Sequence, residues 1–226
     1  MPPWEDLPPA LQTEEVRPYY EALSRRGLQL RLKRLLDVVG AAVLFVFLGW
    51  LFIILAVLIK LDSPGPVFFR QRRVTQFGRE FRIVKFRTMT HRPDIPGDQI
   101  TRGDDPRVTR VGAVLRRYRL DEISQLIDIL RGTMSFVGTR PEVPDYVRQY
   151  TPQMRATLLL PAGVTSTASI EFKDEAQILA AAPPGQDAYV TQVLPAKMRL
   201  NLRDVRDFSI GRDLRIAFRT VLAVAT

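Results

Sequence analysis

Residues 38–59 read VVGAAVLFVFLGWLFIILAVLI, 22 positions without a single charge. At about 1.5 Å per residue, a helix of that length matches a hydrocarbon core of ~30 Å. The stretch begins too far along the chain, and lacks the small-residue cleavage site, to be read as a signal peptide. A buried soluble helix this long and apolar would be unusual, so membrane insertion is the expectation. The flanks bear on topology: Arg25, Arg26, Arg31, Lys33 and Arg34 precede the stretch, and Lys60, Arg70, Arg72 and Arg73 follow it. Cationic flanks favour the cytoplasmic side, and one segment satisfies both only by entering and leaving through the same face. Gly49-Trp50, near the midpoint, is the candidate membrane break, because glycine weakens a helix and tolerates unusual angles. A straight span stays open, since no proline interrupts the run. Asp37, at the charged entry, is spaced for pairing with Lys33 or Arg34.

Outward from this segment the chain is mixed α and β. "DSPGP" (62–66) is dense turn chemistry that should stop the helix. "PVFFRQRR" (66–73) and "REFRIVKFRTM" (79–89), separated by "TQFG" (75–78), read as a β-hairpin. Residues 90–106 are a polar loop, followed by a basic helix over about 107–119. "GTMSFVGTRPEVPDY" (132–146) reads as a loop leading to a short helix, and "LLLPAGVTSTASIEF" (158–172) as a turn and a strand. Pro195 favours a helix start. "DLRIAFRTVLAV" (213–224) closes with a helix whose Arg212, Arg215 and Arg219 share a stripe, suited to anionic headgroups or to solvent. The first thirty residues are a Pro-rich lead and an amphipathic segment. The expected organisation is therefore that segment over 1–30, the membrane helix over 31–61, and a mixed α and β domain over 62–226.

With 226 residues, the chain has mass enough for one domain and its accessories. Its 33 basic and 24 acidic residues leave a formal charge of +9, which suits anionic partners. There is no cysteine, so disulfides and thiolate metal sites are excluded; the single histidine, His91, excludes histidine-rich metal sites and reads as a surface loop residue.

The stretch "LRRYRLDEISQL" (115–126) sets adjacent carboxylates, Asp121 and Glu122, behind three arginines. Ile123, Leu126, Ile127 and Leu130 follow a helical period, with Gly132 at the expected stop. One reading makes Asp121 a helix N-cap and the arginines a solvated face. The other is chemical. Lys85, Arg87, Arg116 and Arg140 form an anion-handling set, arginine being suited to bidentate phosphate recognition. A carboxylate is a competent nucleophile toward phosphorus, and its low reference pKa spares it an activating base. Asp121 would then attack a phosphate while Glu122 holds Mg²⁺, a hard cation that favours oxygen ligands. Residues alone leave both readings open.

The motifs "KRLLD" (33–37), "SPGPVFFRQRR" (63–73), "FRIVKFRTM" (81–89), "DDPRVTRVGAVLRRYRLDEISQL" (104–126), "GTMSFVGTRP" (132–141) and "PAGVTSTASIEF" (161–172) occur in one order. In this the chain resembles the bacterial sugar transferases known as monotopic phosphoglycosyl transferases, over roughly residues 30–222. The resemblance implies an α+β, mainly helical fold: a re-entrant helix-break-helix joined to a small cytoplasmic catalytic domain with a short hairpin and interfacial amphipathic helices. It implies transfer of a sugar 1-phosphate from a nucleoside-diphosphate sugar, a UDP-hexose being expected, to a polyprenyl phosphate such as undecaprenyl phosphate. A nucleoside monophosphate is released, in the first membrane step of a bacterial glycoconjugate or polysaccharide pathway. The catalytic dyad falls on Asp121, the implied covalent nucleophile, and Glu122, with Mg²⁺ held by Glu122 and Asp121. The phosphate-binding positions match Lys85, Arg116 and Arg140. The expected setting is the cytoplasmic face of the inner membrane, with an anionic phospholipid surface as partner and no nucleic acid. Departures from the pattern are Thr75 for a common glycine, Thr133 for an aspartate, Thr139 for a proline, Ser166 for a glycine, and Gly49-Trp50 where a proline break is common. None touches the dyad. Two other readings remain: a membrane-tethered polyanion binder, which the lack of aromatics interleaved with the basic residues disfavours, and an idle scaffold, which the intact dyad disfavours.

Overall fold

The structure, a computed structural model, describes residues 1–90, 105–173, 175 and 188–225. His91 and most of the 90–106 loop lie outside them. The first residues fold onto the body. Two 3₁₀ turns, Trp4–Asp6 and Pro9–Leu11, lead into helix α1, Arg17–Ser24. Leu7, Leu11, Val16 and Leu23 are buried against Ala156, Leu159, Leu202, Val205 and Phe208 from the far end of the chain.

Helix α2 is one unbroken run of 36 residues, Gly27–Asp62, with Ser63 extended after it, as the "DSPGP" turn requires. The expected break at Gly49 and Trp50 is corrected: both are helical. No proline removes a backbone donor there, and an interior glycine costs only about 1 kcal/mol. Among the described residues α2 is the one helix long and apolar enough to cross a membrane. One of its sides is outward and apolar, through Val46, Phe47, Trp50, Ile53 and Leu61. The other buries Ala41 against Ile83, Leu126, Ile129 and Met134, then Leu55 and Ile59 against Phe86 and Leu115. The expected pairing of Asp37 is also corrected. Asp37 Oδ1 accepts the Phe136 N–H at 3.1 Å, Lys33 pairs with Asp213 at 2.5 Å, and Arg34 donates to the carbonyls of Ile129 and Leu130.

The hairpin is present. Strand β1 (Phe68–Val74) pairs antiparallel with β2 (Glu80–Phe86), in the register Gln71↔Ile83. Helix α3 (Arg110–Arg117) is capped by Thr109, whose side chain accepts the Gly112 N–H at 3.0 Å. The helix expected from Asp121 begins differently: residues Leu120–Gln125 form a 3₁₀ run, and α4 proper is Leu126–Arg131, closed by Gly132 at φ 83°. Asp121 is therefore inside a tight turn; the residue ahead of that turn is Arg119, left-handed at φ 56°.

A second sheet joins segments that the sequence pattern leaves apart. Strand β3 (Met134–Val137), from the stretch expected as loop, pairs in parallel with β4 (Ala162–Thr165). Four residues are too few for a periodic signal, and the partner strand is remote in sequence. Gly138 and Gly163 make the pairing possible, since a Cβ on Gly163 would lie 2.1 Å from the Gly138 nitrogen. Short helices α5 (Pro144–Val147) and α6 (Thr167–Glu171) follow their strands. A π-turn over Tyr189–Val193 leads into α7 (Leu194–Arg206), with Pro195 in its first turn as expected. On the last helix, α8 (Ile210–Ala225), Arg215 and Arg219 of the expected stripe are exposed. Arg212 bonds Asp204 at 3.0 Å and Arg219 bonds Glu171 at 3.0 Å, while Leu214, Phe218, Val221 and Leu222 face outward.

Candidate active site

Two positions organise the site, the 120–125 turn and the loop after β3. The turn is held on apolar anchors: Leu120 and Ile123, on either side of the carboxylates, pack with Leu55, Ile59, Phe86 and Leu115. Its polar face is fastened to β2. Ser124 Oγ donates to the Val84 carbonyl at 3.0 Å, and the Val84 N–H donates to Asp128 Oδ2 at 2.8 Å. Ser124 and Asp128, one helical turn apart, thus take both polar groups of the residue next to Lys85. Sequence reasoning missed both. Their only signal is a pair of polar residues, four apart, in a largely apolar stretch.

This clamp brings Lys85 Nζ to 2.9 Å from Glu122 Oε1. From the opposite side the Arg140 guanidinium reaches both oxygens: Nη1 to Oε2 at 3.2 Å, and Nη2 to Oε1. The Glu122 side chain is the deepest of the three, 11% exposed against 20% for Lys85 and 30% for Arg140. Burial alone would raise the Glu122 pKa, but Arg140 and Lys85 outweigh it and hold the carboxyl well below its usual range. Glu122 in turn raises the pKa of Arg140, and burial lowers that of Lys85.

Asp121 is in no ion pair among the described residues. Its pKa is raised: burial disfavours the charge, Lys85 pulls the other way, and Glu122 adds to the rise. Lys85 and Arg140 each pull it down, but burial outweighs them. The pair is asymmetric, with one carboxylate fixed and ionised and its neighbour left open.

The other expected phosphate-binding residues are not brought into this cluster. Arg87 is buried and turned toward the end of α2, donating to the carbonyls of Ile59 (3.2 Å), Ser63 (2.6 Å) and Pro64 (2.8 Å). Arg116, in the last turn of α3, acts electrostatically on Asp105. Behind Arg140 lies a second charged group. Glu142 accepts from the Tyr189 hydroxyl, with Arg73 and Lys197 each 3.9 Å away.

Mg²⁺ fits the donor set on one condition. Asp121 and Glu122 offer hard oxygens on one turn, and no group of three or more carboxylates or histidines exists among the described residues. Mg²⁺ is commonly held by one or two carboxylates, with phosphate and water completing its shell; here the phosphate must come from a substrate.

A model of the family described as bacterial sugar transferase matches residues 28–226. The chain belongs to the bacterial sugar transferase family. Among its relatives is a protein of Caulobacter vibrioides named UDP-glucose:undecaprenyl-phosphate glucose-1-phosphate transferase, 38% identical over 225 residues, 98% of this chain and 79% of the relative. A UDP-N-acetylgalactosamine-undecaprenyl-phosphate N-acetylgalactosaminephosphotransferase of Aeromonas hydrophila is 34% identical over 86% of this chain and 44% of its own length. The exopolysaccharide production protein ExoY of Rhizobium meliloti is 33% identical, covering 85% of this chain and 84% of the relative. The bacterial sugar transferase fold thus carries the Asp121–Glu122 turn in this chain between a lysine and an arginine.

Proposed function

We propose that this transferase moves a sugar 1-phosphate from a UDP-sugar to undecaprenyl phosphate through a covalent aspartyl-phosphosugar. The observation that carries the proposal is the open carboxylate of Asp121 beside a Glu122 locked between Lys85 and Arg140. A diphosphate entering this cluster finds cations with donors to spare: an ammonium has three and a guanidinium five. Asp121 attacks the β-phosphorus; an O–P bond forms as the bond to the nucleoside monophosphate oxygen breaks, and the electron pair leaves with that oxygen. An oxygen of the lipid phosphate then attacks the same phosphorus and expels the Asp121 carboxylate. Neither nucleophile needs a base, in keeping with a chain that has one histidine. Glu122 and Asp121 would hold Mg²⁺, which when bound neutralises charge building on the diphosphate. Two of the named relatives carry different UDP-sugars in their names, so the proposed donor class is UDP-sugar.

The setting is the cytoplasmic face of the membrane, with the unbroken α2 held along one leaflet by the catalytic body. Both ends of α2 are tied to the same body: Lys33 and Asp37 to β3 at one end, Asp62 and Ser63 to Val111 and Arg87 at the other. A helix crossing the bilayer would carry its ends to opposite sides. The test is nucleoside monophosphate release from a panel of UDP-sugars with Mg²⁺ and undecaprenyl phosphate, comparing wild type with Asp121→Asn. Lipid-dependent release lost in the variant supports the reading; full release by Asp121→Asn would falsify the nucleophile assignment.

A further inference from the structure

The motif "KRLLD" has no part in the chemistry above, yet its three charged residues are each committed. Lys33 is buried; its ammonium donates to the Val137 carbonyl at 2.8 Å and pairs with Asp213 of α8 at 2.5 Å. Asp37, also buried, accepts the Phe136 N–H at 3.1 Å. Residues four apart on α2 thus grip adjacent residues of β3. Arg34, on the next face, donates to Ile129 (2.6 Å) and Leu130 (3.1 Å), carbonyls in the last turn of α4. Strand β3 leads directly to the loop bearing Arg140, and α4 continues the turn bearing the dyad. One end of the apolar helix is therefore bolted to the two elements that carry the site.

The far end is fastened separately. Asp62 Oδ2 accepts the Val111 N–H at 3.0 Å, and Arg87 holds the last carbonyls of α2. About 40 Å of helix separates the two fastenings. Loosening the first lets the entry of α2 shift against β3 and α4, while Ala41, Leu55 and Ile59 and the far fastening keep the rest on the catalytic body.

We propose that Lys33, Arg34 and Asp37 are positioning residues that set the height of the Asp121–Glu122 turn over the bilayer, and so act selectively on the lipid acceptor. This rests on the transferase reading above. A soluble donor finds Asp121 from water at any height. A lipid phosphate is confined to the interface, so its access depends on where the membrane helix holds the turn. A short, water-soluble isoprenyl phosphate presents the same nucleophile without that constraint.

The experiment compares two acceptors, a long-chain polyprenyl phosphate in phosphatidylethanolamine–phosphatidylglycerol vesicles and a water-soluble short-chain isoprenyl phosphate. The variants are Asp37→Leu, its conservative partner Asp37→Asn, and the double substitution Lys33→Met with Asp213→Leu, which removes both halves of the buried pair and avoids leaving one charge alone. The chain has no cysteine, so Arg117→Cys admits a single fluorophore whose energy transfer to acceptor-labelled lipids reports height. Asp37→Leu and the double variant are expected to lose roughly tenfold or more with the vesicle acceptor, the loss of one charged hydrogen bond. They should stay within about twofold of wild type with the soluble one, with altered energy transfer, and Asp37→Asn should restore both readouts. Equal losses with the two acceptors, or unchanged height in folded variants, overturn the proposal. If wild type uses neither acceptor, the transferase reading fails instead, and the energy-transfer comparison alone decides whether these residues set the height.

Discussion

Lys85 Nζ lies 2.9 Å from Glu122 Oε1, and Arg140 closes on the same carboxylate from the opposite side. A buried carboxylate with two cations is a strong local arrangement, and removing one partner exposes what each supplies. Arg140→Lys keeps the charge and loses the fork that spans both oxygens. The expected outcome is a fall in kcat/KM of roughly tenfold to a hundredfold with the fold retained, about the worth of one or two charge-assisted hydrogen bonds. Steady-state kinetics beside a thermal melt checks it; an unchanged kcat/KM would show that the bidentate contact is idle.

The pH dependence should belong to Asp121. Its pKa is raised by burial, whereas Glu122 is held far below the usual range by Arg140 and Lys85. Attack requires the ionised carboxylate, so activity rises with pH through the raised pKa of Asp121 and is lost below it. Glu122 stays ionised throughout that window and adds no second limb. Lys85→Met removes the charge that opposes the rise, so the acidic limb should move to higher pH. A kcat/KM–pH profile of the two proteins measures this, and a limb that stays put or moves to lower pH contradicts it.

How much of this was legible in advance follows from the range of each interaction. Local signals held: the uncharged run of α2, the turn chemistry after Asp62, the hairpin, Gly132 and Pro195. The second sheet was not legible, because Met134–Val137 is too short to show a period and finds its partner only in three dimensions. Arg87 and Arg140 look alike in sequence; only the fold sends one to the end of a helix and the other to the dyad. The departures from the family pattern became intelligible too. Thr75 Oγ1 donates to the Thr133 carbonyl at 2.7 Å and accepts the Ala162 N–H at 3.1 Å, tying the end of the hairpin to the start of each strand in the second sheet. Ser166 accepts the Ser169 N–H at 3.1 Å and caps α6. These hydroxyls do local work that a glycine leaves to the backbone.

Arg87 is expected to matter for stability rather than for substrate. Its guanidinium satisfies carbonyls at the negative end of α2, where a cation is favoured. Arg87→Met takes the guanidinium away from the Ser63 and Pro64 carbonyls in a buried place and should cost about 2–4 kcal/mol. The residual folded enzyme should keep the wild-type KM for the UDP-sugar. Denaturant unfolding and initial-rate kinetics separate the two; a large rise in KM with unchanged stability would return Arg87 to the phosphate site.

Asp128 offers the sharpest test of the clamp behind the dyad. It is buried, accepts the Val84 N–H, and its pKa is pushed up by burial to about 6 from an ordinary 3.8. The folded state therefore holds the proton more tightly than the unfolded chain does. The sign follows directly: the contribution to stability is full below about pH 3.8 and is lost as pH rises through about 6. Asp128→Asn keeps an oxygen for the Val84 N–H and cannot ionise, so this slope should vanish. At roughly 1.4 kcal/mol for each pH unit, the interval from 3.8 to about 6 sets an upper bound of about 3 kcal/mol. The stability of the Asn variant relative to wild type should rise by about 1–3 kcal/mol between pH 4 and pH 7. Any fixed cost of burying the extra amide cancels in that difference. Urea melts across the range give the answer. Parallel curves would mean that Asp128 is not taking up its proton in this window, and that the clamp on Val84 holds a charged carboxylate at every pH measured.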